Sequence, residues 1–410
     1  MLEKFFDFSR NILKVRCSSY ERYFIRTTAL THQMSVIVGQ RGVGKTTTLV
    51  QLLLKKASGD RFSSEILYVQ ADHFIMAGAS LYEIAEAFQL LGGKWLAIDE
   101  IHKYPNWSME LKSIYDTFPH LQLFISGSSA LAIHEGSHDL SRRALRYTMH
   151  GLSFREYLEM THHIPLSAYS LETICKDHLK IADSILHVLG SLSKKVIPEF
   201  IDYLKSGFYP FFLELPDPIL YSMTLEQNFH AIIESDLLAI HPHLTGNSIK
   251  KIKQLLQFIA GAVPFTPNWS HIGELLEVGD TRTVKLYFSY LESAHLVRGV
   301  GSASAKLAKL ETPEKIYLDN TNQLFALSSA SPEKGTLRET FFLSMLRCNH
   351  KITLPAKGDF LVDQKLTFEI GGKNKNWEQL KGVENSFLAC DEIETGWGNK
   401  IPLWLFGFLY

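Results

Sequence analysis

Gly39-Gln40-Arg41-Gly42-Val43-Gly44-Lys45-Thr46 lies between an apolar run, Met34–Val38, and a stretch of helical periodicity from Thr47 to Lys56. The segment fits G-x-x-x-x-G-K-[ST], and a strand before it with a helix after it is the context that gives the pattern meaning. A phosphate chain carries several negative charges. A loop opening into a helix N-terminus meets them with unpaired N–H groups and the positive end of the helix dipole. Gly39, Gly42 and Gly44 let the backbone wrap closely, and Val43 and Thr47 complete the expected cradle. Lys45 is placed to reach the β and γ phosphates and the Thr46 hydroxyl to coordinate Mg²⁺, so ATP and Mg²⁺ are the expected ligands.

Working outward, Trp95-Leu96-Ala97-Ile98-Asp99-Glu100 is an apolar strand ending in two carboxylates, a Walker B pattern. Asp99 is expected to hold the Mg²⁺ hydration shell and Glu100 to polarise the attacking water. The next apolar run, Leu121–Ile125, ends in Ser126-Gly127-Ser128-Ser129. A polar side chain there, Ser126 first, fits the sensor 1 position, and a plain Ser/Gly turn fits as well. Ser141-Arg142-Arg143 offers two guanidiniums. Arg143 is the expected arginine finger, in cis or from a neighbouring copy, against the alternative of a solvated basic turn. His102, His162 and His163 have no metal-spaced partners and read as surface or core residues outside the phosphate chemistry.

These segments, with Ile101-His102, Trp107, Leu111-Lys112 and Leu152-Ser153-Phe154-Arg155-Glu156-Tyr157-Leu158, resemble a bacterial and archaeal family of AAA-type ATPases. Tyr203-Leu204-Lys205-Ser206-Gly207-Phe208-Tyr209-Pro210 and Glu369-Ile370-Gly371-Gly372-Lys373 extend the resemblance over most of the chain. It implies an ATPase core, a helical segment, a winged helix and a C-terminal fold similar to restriction endonucleases, with no established substrate. One departure is Arg142, which stands where the family has Gly before the finger-like arginine and leaves the choice between Arg142 and Arg143 open.

Apolar runs at Met34–Val38, Ile66–Val69, Trp95–Ile98 and Leu121–Ile125 alternate with helical periodicity, which predicts a parallel sheet covered on both faces. From about Phe154 the periodicity is mostly helical. Ile252–Ala260, Ser270–Leu276 and Thr281–Ser293, then Leu296–Val300 and Lys315–Leu318, read as three helices and a hairpin, the order of a winged helix. Arg282 and Lys285 would face a DNA major groove, with Lys306 and Lys309 on phosphates. Beyond Gly335 a helix, Thr336–Arg347, precedes strands near Phe360, at Leu366–Ile370 and at Leu403–Phe408. Glu339, Asp359 and Glu369 approximate the carboxylates of a PD-(D/E)xK nuclease. Gly371 stands where that motif needs lysine, so a retained fold without activity is expected, with Lys373 or Lys375 as migrated candidates.

The expected organisation is therefore an α/β P-loop NTPase domain over 1–153, a helical domain over 154–249, a winged helix over 250–330 and a small α/β nuclease-like domain over 331–410. Lys plus Arg number 42 against 43 Asp plus Glu, which supplies no global field for nucleic acid or membrane and leaves any DNA contact to a local patch. Cys17, Cys175, Cys348 and Cys390 lie far apart, which favours reduced thiols and a cytoplasmic protein. Glu3, Lys4, Asp7 and Arg10 interrupt the first residues and leave no signal-peptide core. The functional expectation is a Mg²⁺-dependent ATPase acting on or regulated by DNA, with nucleotide expected to promote a homo-oligomer. The alternative is a nucleotide-driven switch that binds a protein partner; a P-loop kinase fits less well, since a kinase needs a lid and an acceptor pocket.

Overall fold

The computed structural model describes residues 2–127, 140, 142–303, 313–328 and 331–410. The chain forms two compact units, one from Met1–His150 with Ala231–Thr245, the other from Gly151–His230 with Gly246–Tyr410. The stretch Ala231–Thr245, which falls within the helical segment expected over 154–249, packs with the first unit. Ile240 packs against that unit's apolar core, and the segment stays helical, with a π-helical turn at Ile232–Asp236 and a short helix at Leu237–Ile240.

In the first unit the order is α1 (Leu2–Val15), α2 (Tyr23–Thr27), β1 (Met34–Val38), α3 (Lys45–Lys56), β2 (Ile66–Gln70), α4 (Leu81–Leu90), β3 (Trp95–Asp99), α5 (Trp107–Thr117), β4 (Gln122–Gly127) and β5 (Leu145–Thr148). The five strands form one sheet in the order β2-β3-β4-β1-β5, every pairing parallel. This is a P-loop NTPase fold. Strands β1 to β4 are short apolar runs with nearly every residue buried, as a sheet covered on both faces demands. Helix α4 begins with a reciprocal capping box between Ser80 and Glu83 and buries Leu81, Ile84, Ala85 and Phe88, a spacing of three and four that keeps one face apolar. Truncating Phe88, which has no exposed surface, to alanine would cost about 3–5 kcal/mol. Helix α1 buries Leu2, Phe5 and Leu13, and its Ser9 hydroxyl accepts the Tyr68 N–H on β2.

The second unit opens with a helix, Phe154–His162, capped reciprocally by Ser153 and Glu156. Phe154 stacks edge-on against Phe200 and Phe408 and lies close to Tyr203, and Phe200 meets Phe341, so one aromatic cluster joins distant parts of the sequence. Helices Gly246–Ala262, Trp269–Leu275 and Thr281–Ser293 precede an antiparallel pair, β6 (Val297–Val300) and β7 (Lys315–Leu318). A second sheet follows, in the order β12-β11-β10-β9-β8, made of β8 (Ile352–Thr353), β9 (Phe360–Val362), β10 (Leu366–Gly371), β11 (Ser386–Cys390) and β12 (Lys400–Pro402). Its first three strands are antiparallel and its last pairings parallel.

The strand expected at Leu403–Phe408 is instead a 3₁₀ helix, with strand pairing ending at Pro402. A short apolar run buried on all sides carries no period to separate strand from helix, and proline cannot donate to a ladder. Among the described residues no helix is long and apolar enough to cross a membrane.

Candidate functional site

The loop between β1 and α3 is shaped by backbone demands that only glycine meets. Gly42 and Gly44 take left-handed dihedrals, and Gly44 is the residue from which α3 starts. A Cβ on Gly39 would lie 2.3 Å from the Met149 carbonyl oxygen. Val43 is fully buried, and its carbonyl accepts from Arg22 Nη1 at 2.8 Å, while Arg22 Nη2 donates to the His150 carbonyl at 3.0 Å. Arg22 thus braces the back of the loop, a role without a sequence motif. Lys45 is buried and donates to the Gly39 and Gln40 carbonyls at 2.9 and 2.8 Å. Burial lowers its proton affinity, and the charges of Glu100, Asp99 and Asp236 oppose that shift.

At the adjoining end of β3, Asp99 collects hydroxyls from two strands and the start of α3. Thr46 Oγ1 donates to Oδ2 at 2.6 Å, Tyr68 Oη to the same oxygen at 2.6 Å, and Ser126 Oγ to Oδ1, where the Glu100 N–H also donates at 3.1 Å. The Ser126 hydroxyl in turn accepts from the Glu100 N–H at 3.3 Å. Burial, then the adjacent Asp99 charge, pushes the Tyr68 phenol far above its usual range. The structure therefore brings Lys45, Thr46, Asp99, Glu100 and Ser126 together, and it adds Tyr68, whose only signal in the sequence is a hydroxyl-bearing residue inside a fully buried strand. Glu100 has φ of 55°, the left-handed region, a strain of about 1–3 kcal/mol of the kind stored at functional sites.

His102 lies beside these residues. It is buried, with Nε2 3.5 Å from Glu100 Oε2 and 3.6 Å from Asp236 Oδ1. Asp236 lies 3.8 Å from Arg41 in the glycine-rich loop, and Lys103 Nζ is 3.7 Å from Glu100. Thr47 follows Thr46 on the first turn of α3, half-buried. Arg143 is engaged elsewhere, in a two-pronged pair with Asp116 at 2.8 and 2.9 Å, and Arg142 is exposed. Ser128, Ser129 and Ser141 lie outside the described residues.

Asp99 and Thr46 present hard oxygen donors 2.6 Å apart beside the loop, which suits Mg²⁺, an ion that retains waters and takes few protein ligands. Among the described residues, no group of three or more His, Cys, Asp and Glu side chains is arranged to hold a metal by itself.

In the second unit, Arg282 and Lys285 are exposed on the helix Thr281–Ser293, which Asp280 caps through the Arg282 N–H. Lys306 and Lys309 lie outside the described residues. Of the three tail carboxylates, Glu339 accepts from Lys315 Nζ and Tyr317 Oη, both at 2.7 Å, and Glu369 pairs with Lys375. Asp359 accepts the Ile370 N–H at 2.7 Å, and burial, together with the charges of Glu339 and Glu369, raises its carboxyl to about 6. Gly371 makes room for Lys375, since a Cβ there would lie 2.7 Å from that side chain.

Residues 31–158 match a family model described as an AAA domain, and residues 197–334 match one described as a domain of unknown function. The "Uncharacterized protein MJ1637" of Methanocaldococcus jannaschii is 27% identical over 409 residues, an alignment spanning 92% of this chain and 84% of that protein. Similar solved structures include the Walker-type ATPase PABY2304 of Pyrococcus abyssi, at 12% identity and a TM-score of 0.43 over 77% of this chain and 99% of that one. AMPPCP-bound DnaA from Aquifex aeolicus is similar at 14% identity and a TM-score of 0.27, over 71% and 90% of the two chains. The first unit carries an AAA-type P-loop domain, by family match and by its parallel sheet.

Proposed function

We propose that the first unit binds ATP with Mg²⁺ and hydrolyses it, with Glu100 as the water-orienting base. The observation that carries this reading is the junction of the glycine-rich loop with the β3 carboxylates: the Thr46 hydroxyl is hydrogen-bonded to Asp99 at 2.6 Å, with Glu100 the next residue. Mg²⁺ held by Thr46 and Asp99 would supply charge neutralisation at the β and γ phosphate oxygens. Loop N–H groups and Lys45 bind the phosphates, so Lys45 exchanges its two loop carbonyls for phosphate oxygens. Water attacks the γ phosphorus, its proton passes to the Glu100 carboxylate, and the bond from phosphorus to the bridging oxygen breaks to leave ADP and phosphate. Ser126 holds Asp99 and the Glu100 amide in register. Phosphate release with Mg²⁺ tests the reading. Wild type should turn over and Lys45→Ala should not, whereas equal rates from the two would refute it.

The partner is approached through the second unit. Three helices followed by an antiparallel pair support a winged-helix reading, and exposed Arg282 and Lys285 support duplex contact. With about four cations the salt slope would be near −3.6, so binding is weak and sequence-tolerant. Titration of duplex DNA at low salt while following the ATPase rate, repeated with Arg282→Glu and Lys285→Glu, decides it. Stimulation lost in the double variant supports DNA, and no binding at low salt leaves the protein-partner switch. The mixed sheet and its carboxylates support a nuclease-like fold without activity, since Glu339 and Glu369 are tied to lysines. Association of copies through Arg142 or Arg143 would require Arg143 to leave Asp116, and light scattering with a non-hydrolysable ATP analogue tests it.

A further inference from the structure

The catalytic carboxylate has a neighbour that comes from far along the chain. Ala231–Thr245 is flanked on both sides by residues of the second unit, yet it packs with the first. It opens with a π-helical turn, Ile232–Asp236, a conformation that is rare and recurs at functional sites. That turn delivers Asp236 with no exposed surface beside an imidazole and a guanidinium, both from the nucleotide-binding face: His102 follows β3, and Arg41 lies in the glycine-rich loop.

The geometry around His102 is a contest for one nitrogen. Nε2 stands 3.5 Å from Glu100 Oε2 and 3.6 Å from Asp236 Oδ1, almost equidistant from two carboxylates. A neutral imidazole with its proton on Nε2 can give that single N–H to only one of them. If Glu100 receives it, the base that must accept the water proton is occupied. If Asp236 receives it, the lone pairs of Glu100 stay available. Glu100 Oε2 and Asp236 Oδ1 are both buried and neither atom accepts a hydrogen bond from the described residues, so the imidazole proton is committed to neither carboxylate and the two compete for it.

We propose that Asp236 is a positioning residue for ATP hydrolysis: it draws the His102 N–H toward itself and so keeps Glu100 open to the attacking water. The inference rests on the ATPase reading above. Two further features agree with it. Arg41 ties Asp236 to the glycine-rich loop, so the position of Asp236 is set by the same loop that holds phosphate. The negative charge of Asp236 also reaches Lys45 and Lys103, which places it within the electrostatics of the site rather than at its margin.

The test is steady-state ATP hydrolysis by wild type, Asp236→Asn, and Asp236→Asn combined with His102→Leu. An amide competes poorly with a carboxylate for the imidazole proton, so the single variant leaves His102 bound to Glu100. Its kcat should fall about tenfold with KM for ATP unchanged within about twofold, a loss smaller than the order of 10²–10⁴ that full removal of a general base costs. Adding His102→Leu removes the competing donor, and the double variant should turn over faster than the single one. A merely structural role would instead add damage to damage. Hydrolysis by wild type with Asp236→Asn equally fast, or a double variant slower than the single, overturns this inference alone. No hydrolysis by wild type overturns it together with the ATPase reading. If Asp236→Asn does not fold, by thermal unfolding, Asp236→Ser keeps an oxygen acceptor and takes its place with the same expectations.

Discussion

Tyr68→Phe isolates one hydroxyl that the site depends on. Tyr68 is buried, and its Oη donates to Asp99 Oδ2 at 2.6 Å, a bond to a charged acceptor that is itself buried. Such bonds contribute about 1.5–3 kcal/mol, and leaving a buried carboxylate short of a donor accounts for much of that. Asp99 keeps Thr46, Ser126 and the Glu100 N–H, so the low end applies, about 1.5–2 kcal/mol. In a unit of this size each kcal/mol moves Tm by roughly 2–4 °C, which predicts a fall of about 3–8 °C in calorimetry without nucleotide. The same hydroxyl orients the carboxylate that would hold the metal shell, so the Mg²⁺ concentration for half-maximal ATPase should rise about tenfold. A Tm within about 1 °C of wild type together with an unchanged Mg²⁺ dependence would show that the Tyr68–Asp99 bond contributes nothing, and the account of the site would need revision.

Gly39→Ala places a methyl against the Met149 carbonyl and should destabilise the first unit by about 1–3 kcal/mol in urea unfolding while weakening nucleotide binding; unaltered binding would refute the close-approach argument. Asp359, raised to about 6 from 3.8, keeps its proton in the folded chain where the unfolded chain has lost it. Stability should therefore decline from about pH 4 to pH 6 and stay level above, a loss of roughly 3 kcal/mol that Asp359→Asn removes. Urea unfolding at pH 4.5 and 8 checks this, with a pH dependence identical in the two proteins as the contrary result. Incubation of duplex DNA with Mg²⁺ or Mn²⁺ should give no cleavage, and cutting abolished by Asp359→Ala would show the tail to be an active nuclease.

What the sequence made legible is what a few consecutive residues carry. The glycine-rich loop announces itself because phosphate needs glycine, lysine and threonine at fixed spacing, and the sheet because short apolar runs alternate with helical periodicity. Arg22, Tyr68 and Asp236 stayed invisible because their partners are remote: Arg22 acts on the Val43 and His150 carbonyls, and Asp236 arrives from Ala231–Thr245. Nothing near His102 in sequence reveals that Asp236 lies beside it. Arg143 resembles a finger by residue type and position, but only the fold places Asp116 against it. The tail run Leu403–Phe408 is buried on every side, which erases the period that would separate a strand from a helix.

The central claim is that Glu100 accepts a proton from water beside a nucleotide held by the glycine-rich loop. Its most direct measurement is the affinity for ATP and the single-turnover rate of Glu100→Gln beside wild type, in Mg²⁺. The amide keeps the shape of the carboxylate and cannot accept the proton, so affinity should stay within about threefold while the rate falls on the order of 10²–10⁴. Single-turnover hydrolysis by Glu100→Gln at the wild-type rate would contradict the account.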